Sequence, residues 1–237
     1  NILFLTEVKG LTSYEINFIT TTSVLVSLIC YLFSYKIIKK IGNLNSIRLG
    51  TFLILVSTLL FTFGTNIVYF SLAQILYELS FIFKSVDVVV LNKNLIYDKR
   101  ENDFVKIKSR ATTIYSIATL ISSILSGFLF SINPYIPMFL SIFICVINFI
   151  LSHFIYEAKA IVEKEKNNNI KLKFTKKMLM IILVYGLLYG TISICQTNDK
   201  LFMQYRLQDF LDFDSVAVIV SFILFFSRIF LFKQDYT

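Results

Sequence analysis

The sequence predicts an all-α polytopic membrane protein. Two observations carry that class. Of 237 residues, 56% are hydrophobic and only 16% charged, against about 25% charged in a soluble domain, and the mean hydropathy is +0.73. The apolar residues also fall in runs long enough to cross a bilayer, whose hydrocarbon core of about 30 Å takes about 20 helical residues. No run alternates over many residues as a barrel strand does.

In chain order, residues 1–7, NILFLTE, read as the tail of a span. Full spans are predicted at 14–35, 47–65, 68–90, 111–132, 135–156, 178–196 and 215–232. The connections FGTNIVY and INPYIP are short, which makes the helices they join antiparallel neighbours. The segment 157–177 is the longest polar stretch, rich in Lys, Glu and Asn, and reads as a linker between two bundles. The predicted division is therefore 1–156, an N-terminal bundle, 157–177, a linker, and 178–237, the start of a second bundle. The chain opens on Asn with no charged region or cleavage site after it, so no signal peptide is predicted. It is expected to be a piece of a longer reading frame.

Charge asymmetry orients the spans. The loops after spans one, three and five hold seventeen Lys and Arg, among them Lys36, Lys39, Lys40 and Arg48 after the first; the opposite loops hold only Lys9, Lys200 and Arg206. Such a bias places the crowded side, linker included, in the cytoplasm. The net charge of +8 is thereby a topology signal, and nucleic acid is not an expected partner. The expected surroundings are a lipid bilayer, which the chain crosses several times.

Three charges in the third full span single themselves out. Glu78 falls near its midplane, where a charge costs about 2.5–3.5 kcal/mol on insertion scales. Burial there raises a carboxyl's affinity for protons. Two readings follow: a group that takes up and releases a proton or recognises a cation, with Gln74 one turn earlier on the same face, or a protonated carboxyl hydrogen-bonded to a neighbouring helix. Lys84 lies about 9 Å nearer the cytoplasm at 1.5 Å per residue, within snorkelling reach. Asp87 follows at i+3, where the two can pair.

Elsewhere polar groups read mostly as packing. Thr119, Ser123 and Gly127 stand four apart, a spacing that lets helix backbones approach. Asn148 is expected to make an interhelical hydrogen bond. Tyr185 and Tyr189, one turn apart, are candidates for an aromatic wall against an apolar or cationic substrate. His153 has no partners at metal-ligand spacing. Cys30, Cys145 and Cys195 read as small apolar residues with no disulfide framework. No metal or cofactor is predicted. No Gly-x-x-x-x-Gly-Lys-Ser/Thr loop is present, and a single His without paired acids argues against an intramembrane enzyme.

Six spans, a basic linker and further spans resemble the major facilitator superfamily of secondary transporters, built from two six-helix halves. In SYKIIKKIGNLNS, Lys40 and Gly42 match that family's Gly-x-x-x-Asp-Arg/Lys-x-Gly-Arg-Arg/Lys loop; Lys39 stands where the family has its aspartate, and Tyr35, Asn43 and Leu44 replace other motif positions. Asp87 and Leu91 sit where Gram-positive members resemble S-G-x-x-E-A-L-x-Y-D-S-L. The resemblance implies that 1–156 holds the tail of helix 1 and helices 2–6, and that 178–237 holds helices 7–8. It implies a cavity lined in part by the helix of Tyr185 and Tyr189, and a cytoplasmic gate of Lys39, Lys40, Gly42, Lys84 and Asp87. It further implies transport of a small molecule by alternating access, with proton-coupled efflux of amphipathic compounds as the first reading. Uptake of a metabolite by the same kind of permease, or a seven-span receptor, are the alternatives.

Overall fold

The computed structural model describes residues 2–158 and 176–210, together with 216, 218–220 and 222–223. Most of the predicted linker and most of the predicted last span, 215–232, lie outside the described residues. Among those described the chain is 87% helical with no strand, as an all-α class requires.

The short α1, Ile2–Glu7, turns at Gly10, whose φ of +68° suits a residue without Cβ. Helix α2, Ser13–Ile41, opens on a capping box: the Thr12 hydroxyl accepts from the Glu15 N–H at 3.3 Å, and Glu15 Oε2 accepts from the Thr12 N–H at 2.8 Å. It ends at Gly42, whose N–H donates to the Ile38 carbonyl at 2.8 Å. Gly42 has φ +87° with open space around its Cα, so backbone conformation alone demands glycine there. Helix α3 is Asn43–Phe63, α4 Ile67–Lys84, α5 Asp87–Tyr97, α6 Phe104–Ile132, α7 Tyr135–Ser152 and α8 Lys176–Gln208. One 3₁₀ turn, Glu101–Asp103, precedes α6.

Four of these elements are long and apolar enough to cross a membrane: Ser13–Ile41, Asn43–Phe63, Glu101–Ile132 and Tyr135–Ser152. They correspond to the predicted spans at 14–35, 47–65, 111–132 and 135–156. Two overshoot their predicted spans at the end rich in Lys and Arg: α2 runs six residues further, and α6 begins seven residues earlier. The predicted span 68–90 is not one helix. It breaks at Ser85 and Val86, and Asp87 begins a new one. Charge at the first turn favours the N-terminal pole of a helix, and the Asp87 Oδ1 accepts from the Val88 N–H at 2.6 Å.

Helix α4 lies against both α3 and α2, and α7 lies on the other side of α3. The α3–α4 contact is built from small and hydroxyl residues. Ser46, Ser57 and Ser80 are fully buried, and the Ser57 hydroxyl donates to the Ala73 carbonyl at 2.7 Å. A Cβ on Gly50 would meet the Ser80 carbonyl oxygen at 2.9 Å. Lipid tails are as apolar as leucine, so close backbone approach, rather than apolar surface, is what joins such helices.

The larger core cluster gathers Phe4, Leu11, Ile16, Phe61, Phe70, Phe130, Met138 and Leu201 at the end of the bundle that carries the α1–α2 and α6–α7 turns. Lys9 spans this end. Its Nζ donates to the Thr62 carbonyl at 2.9 Å, an unpaired carbonyl of the last turn of α3, and lies over the rings of Phe4 and Tyr135. Burial lowers the pKa of this ammonium. A smaller cluster of Ile47, Val86 and Val90 closes the α2–α3 end.

Candidate functional site

Glu78 is buried, at 7% exposure, within α4 where that helix meets its neighbours. Gln74, one turn earlier, donates from Nε2 to Glu78 Oε1 at 3.3 Å. The predicted pair is therefore joined on one face. Helix α4 itself packs on α2 and α3. Gln74 meets the Glu78 carboxyl as a neutral amide donor.

The predicted cytoplasmic residues are not brought together. Lys39 and Lys40 are exposed in the last turn of α2, where cations complement the helix dipole. Lys84 closes α4 with its stem against Gly50. Asp87 belongs to the next helix and makes no ion pair with Lys84, Lys39 or Lys40. A turn at Ser85 and Val86 separates the two residues of the expected Lys84–Asp87 pair, and Asp87 Oδ1 is taken by the Val88 N–H instead. Gly42 makes the turn between α2 and α3.

Tyr185 and Tyr189 lie in α8, and their side chains are outside the described ones. Asn148 corrects its expectation: it is exposed on α7 and makes no hydrogen bond among the described residues. The inward stripe of α7 is Met138, Ile142, Cys145, Phe149 and Ser152, and Asn148 stands off it. Thr119 and Ser123 lie on the more sheltered face of α6 and Gly127 is buried. The Thr119 and Ser123 hydroxyls donate to carbonyls of their own helix. His153 Nδ1 faces the Phe149 carbonyl at 2.9 Å, which favours the Nδ1–H tautomer. The three cysteines are free. Among the described residues no group of three or more His, Cys, Asp or Glu could hold a metal.

Two arrangements escaped the sequence reading. At the α2–α3 end, Glu157 Oε1 accepts from Lys93 Nζ at 3.1 Å and from Asn43 Nδ2 at 2.6 Å, with both charged side chains about nine-tenths buried. Beside it Asn94 donates to the Tyr156 carbonyl at 2.9 Å and accepts from the Ala158 N–H at 3.0 Å. This knot binds the chain leaving α7 to α5 and to the start of α3.

The second arrangement seats α8 along α2. A Cβ on Gly186 would fall 2.2 Å from Leu28, and one on Gly190 2.9 Å from Val24. Near the other end Asn17 donates to Asn198 at 2.9 Å and Ser13 to Tyr205 at 3.0 Å. Gln204 and Gln208 both donate to Glu7. The signal was present in the sequence: Gly186 and Gly190 stand in a Gly-x-x-x-Gly run, a spacing that lets membrane helices approach closely.

No family model matches this chain, and no curated protein and no solved structure matches it either.

Proposed function

We propose that this chain belongs to a secondary transporter of the major facilitator type, which moves a small amphipathic molecule by alternating access and couples its movement to protons through Glu78. The observation that carries the reading is a buried carboxyl, hydrogen-bonded to Gln74, inside an apolar helix bundle. Intramembrane carboxyls are costly and mark ion or proton paths by default. The alternation of short turns between antiparallel helices, the four helices long and apolar enough to cross a membrane, and the contact of α8 with α1 and α2 fit two bundles that meet around a path.

In this reading Lys39, Lys40 and Asp87, all exposed here, meet charges of the second bundle in another stage of the cycle. Tyr185 and Tyr189 remain candidates for the substrate path. The cytoplasmic placement of the basic loops follows from their charge.

The test uses the complete reading frame that carries this chain, expressed in bacterial cells with ethidium as the probe. Wild-type protein is expected to lower ethidium accumulation in energised cells, and an uncoupler is expected to abolish the effect. Glu78→Gln keeps shape and removes the titration; at equal membrane abundance it is expected to reduce the initial efflux rate at least tenfold. An undiminished, uncoupler-sensitive rate in that variant would sink the coupling role.

A further inference from the structure

A second candidate site lies away from Glu78. Between α1, the α6–α7 turn and α8 is a cleft of ≈ 280 Å³. That is the room of about nine water molecules at about 30 Å³ each, and it falls at the small end of ligand pockets. The walls are largely apolar, with Phe4, Phe130 and Met138 among them, and Gly127 is part of the lining. Lys200 and Gln204 supply polar groups from α8.

Gln204 is the informative residue. It is 2% exposed. Its Nε2 donates to Thr6 Oγ1 at 2.6 Å and to Glu7 Oε1 at 2.8 Å. The Thr6 hydroxyl is committed as a donor to the carbonyls of Ile2 and Leu3, at 3.3 and 3.1 Å. It can therefore only accept from Gln204, and a carboxylate only accepts. Both contacts fix the amide the same way round. Both of its N–H hydrogens are used, and Oε1 accepts no hydrogen bond among the described residues. Oε1 is not fully enclosed, so a donor that enters the cleft can reach it and be accepted.

We infer that this cleft binds a small, neutral, largely apolar molecule bearing one hydroxyl, such as a phenol, with the hydroxyl on Gln204 Oε1 and the ring against Phe130 and Met138. Largely apolar walls disfavour a charged molecule, or one with several polar groups, whose desolvation few partners would offset. The inference concerns binding alone and does not depend on the transport reading.

The test is equilibrium dialysis of the protein in lipid nanodiscs, with empty nanodiscs subtracted, using 1-naphthol and its donorless analogue 1-fluoronaphthalene. Saturable 1-naphthol binding is expected, with the analogue at least tenfold weaker. Gln204→Met is expected to erase that difference. Gly127→Leu, which adds bulk at a residue of the lining and touches none of the groups bonded to Gln204, is expected to abolish saturable binding, and it decides the matter should Gln204→Met fail to fold. Binding no greater than to empty nanodiscs, equal affinity for the two probes, or saturable binding that survives Gly127→Leu would each overturn the assignment.

Discussion

Helices α3 and α7 are neighbours of similar greasiness, yet they are held in opposite ways. Of the most apolar stretch of α3, 39% is buried; of that of α7, 11%. Helix α3 is gripped by α4 through Gly50, Ser57 and the backbone they let approach. Helix α7 touches α3 along one stripe, with Phe52 against Phe149 at 5.8 Å and Phe63 against Phe139 at 6.2 Å between ring centres. It leaves Phe143, Ile144, Ile147 and Leu151 exposed. Its end is fastened instead: Ser152 accepts from Thr51 at 3.2 Å, Arg48 reaches the His153 carbonyl at 3.4 Å, and Glu157 enters the Lys93–Asn43 knot. Of these two helices the slightly greasier one is the less held by its neighbours. Small residues and polar ends decide attachment, because apolar surface gains nothing by leaving lipid for protein.

The largest effect is expected from breaking the fastening of α7. Lys93→Met leaves the Glu157 carboxylate buried with its cationic partner gone. Removing one member of a buried pair costs about 3–5 kcal/mol, whereas replacing both by apolar groups is often near neutral. Thermal loss of helicity, followed by circular dichroism in detergent, should therefore shift strongly downward for Lys93→Met. It should recover part of the shift in the double variant Lys93→Met with Glu157→Leu, which no longer strands the Glu157 carboxylate. A double variant no better than the single one would show that the knot does more than satisfy its own charges.

Next in size is the grip on α3. Gly50→Val puts methyl groups where even a Cβ would stand 2.9 Å from the Ser80 carbonyl oxygen and 3.0 Å from the Lys84 backbone nitrogen. The Lys84 stem can swing aside, but the backbone of α4 cannot. Overpacking of this kind costs about 1–3 kcal/mol, and the same melting measurement should show it. A Gly50→Val protein as stable as wild type would mean that α3 and α4 slide apart freely, and the contrast with α7 would collapse.

Much of this contrast was hidden in the sequence, for identifiable reasons. Hydropathy runs located α2, α3, α6 and α7, because length and greasiness are all a bilayer demands. They could not tell a lipid-facing side from a packed one, since both are apolar. Asn148 looked like an interhelical contact for that reason, and it faces outward. The break at Ser85 was illegible because FKSVDVVVL holds no Gly or Pro to mark it. The Glu78–Gln74 pair was legible because a helix places i and i+4 together whatever surrounds it. Lys93 and Glu157 are 64 residues apart, and only the folding of α7 back onto α3 brings them together. The capping box at Thr12 and Glu15 and the Gly186–Gly190 spacing went unread although both are local signals with fixed spacing.

The smallest effect sharpens the comparison from the other side. Phe143 is 62% exposed on the outer face of α7. In a soluble protein an exposed ring of that size invites a partner, but here lipid chains or detergent cover it equally well. Truncating it forfeits contacts that the surrounding chains replace with their own. Phe143→Ala is therefore expected to stay within about 0.5 kcal/mol of wild type, the range of surface substitutions that touch no special feature, with unchanged migration on size exclusion. A large loss of stability, or a shift to a smaller assembly, would reveal that this face is covered by protein. The weak hold on α7 would then be completed by contacts outside the bundle, and lipid would no longer explain why α7 is less buried than α3.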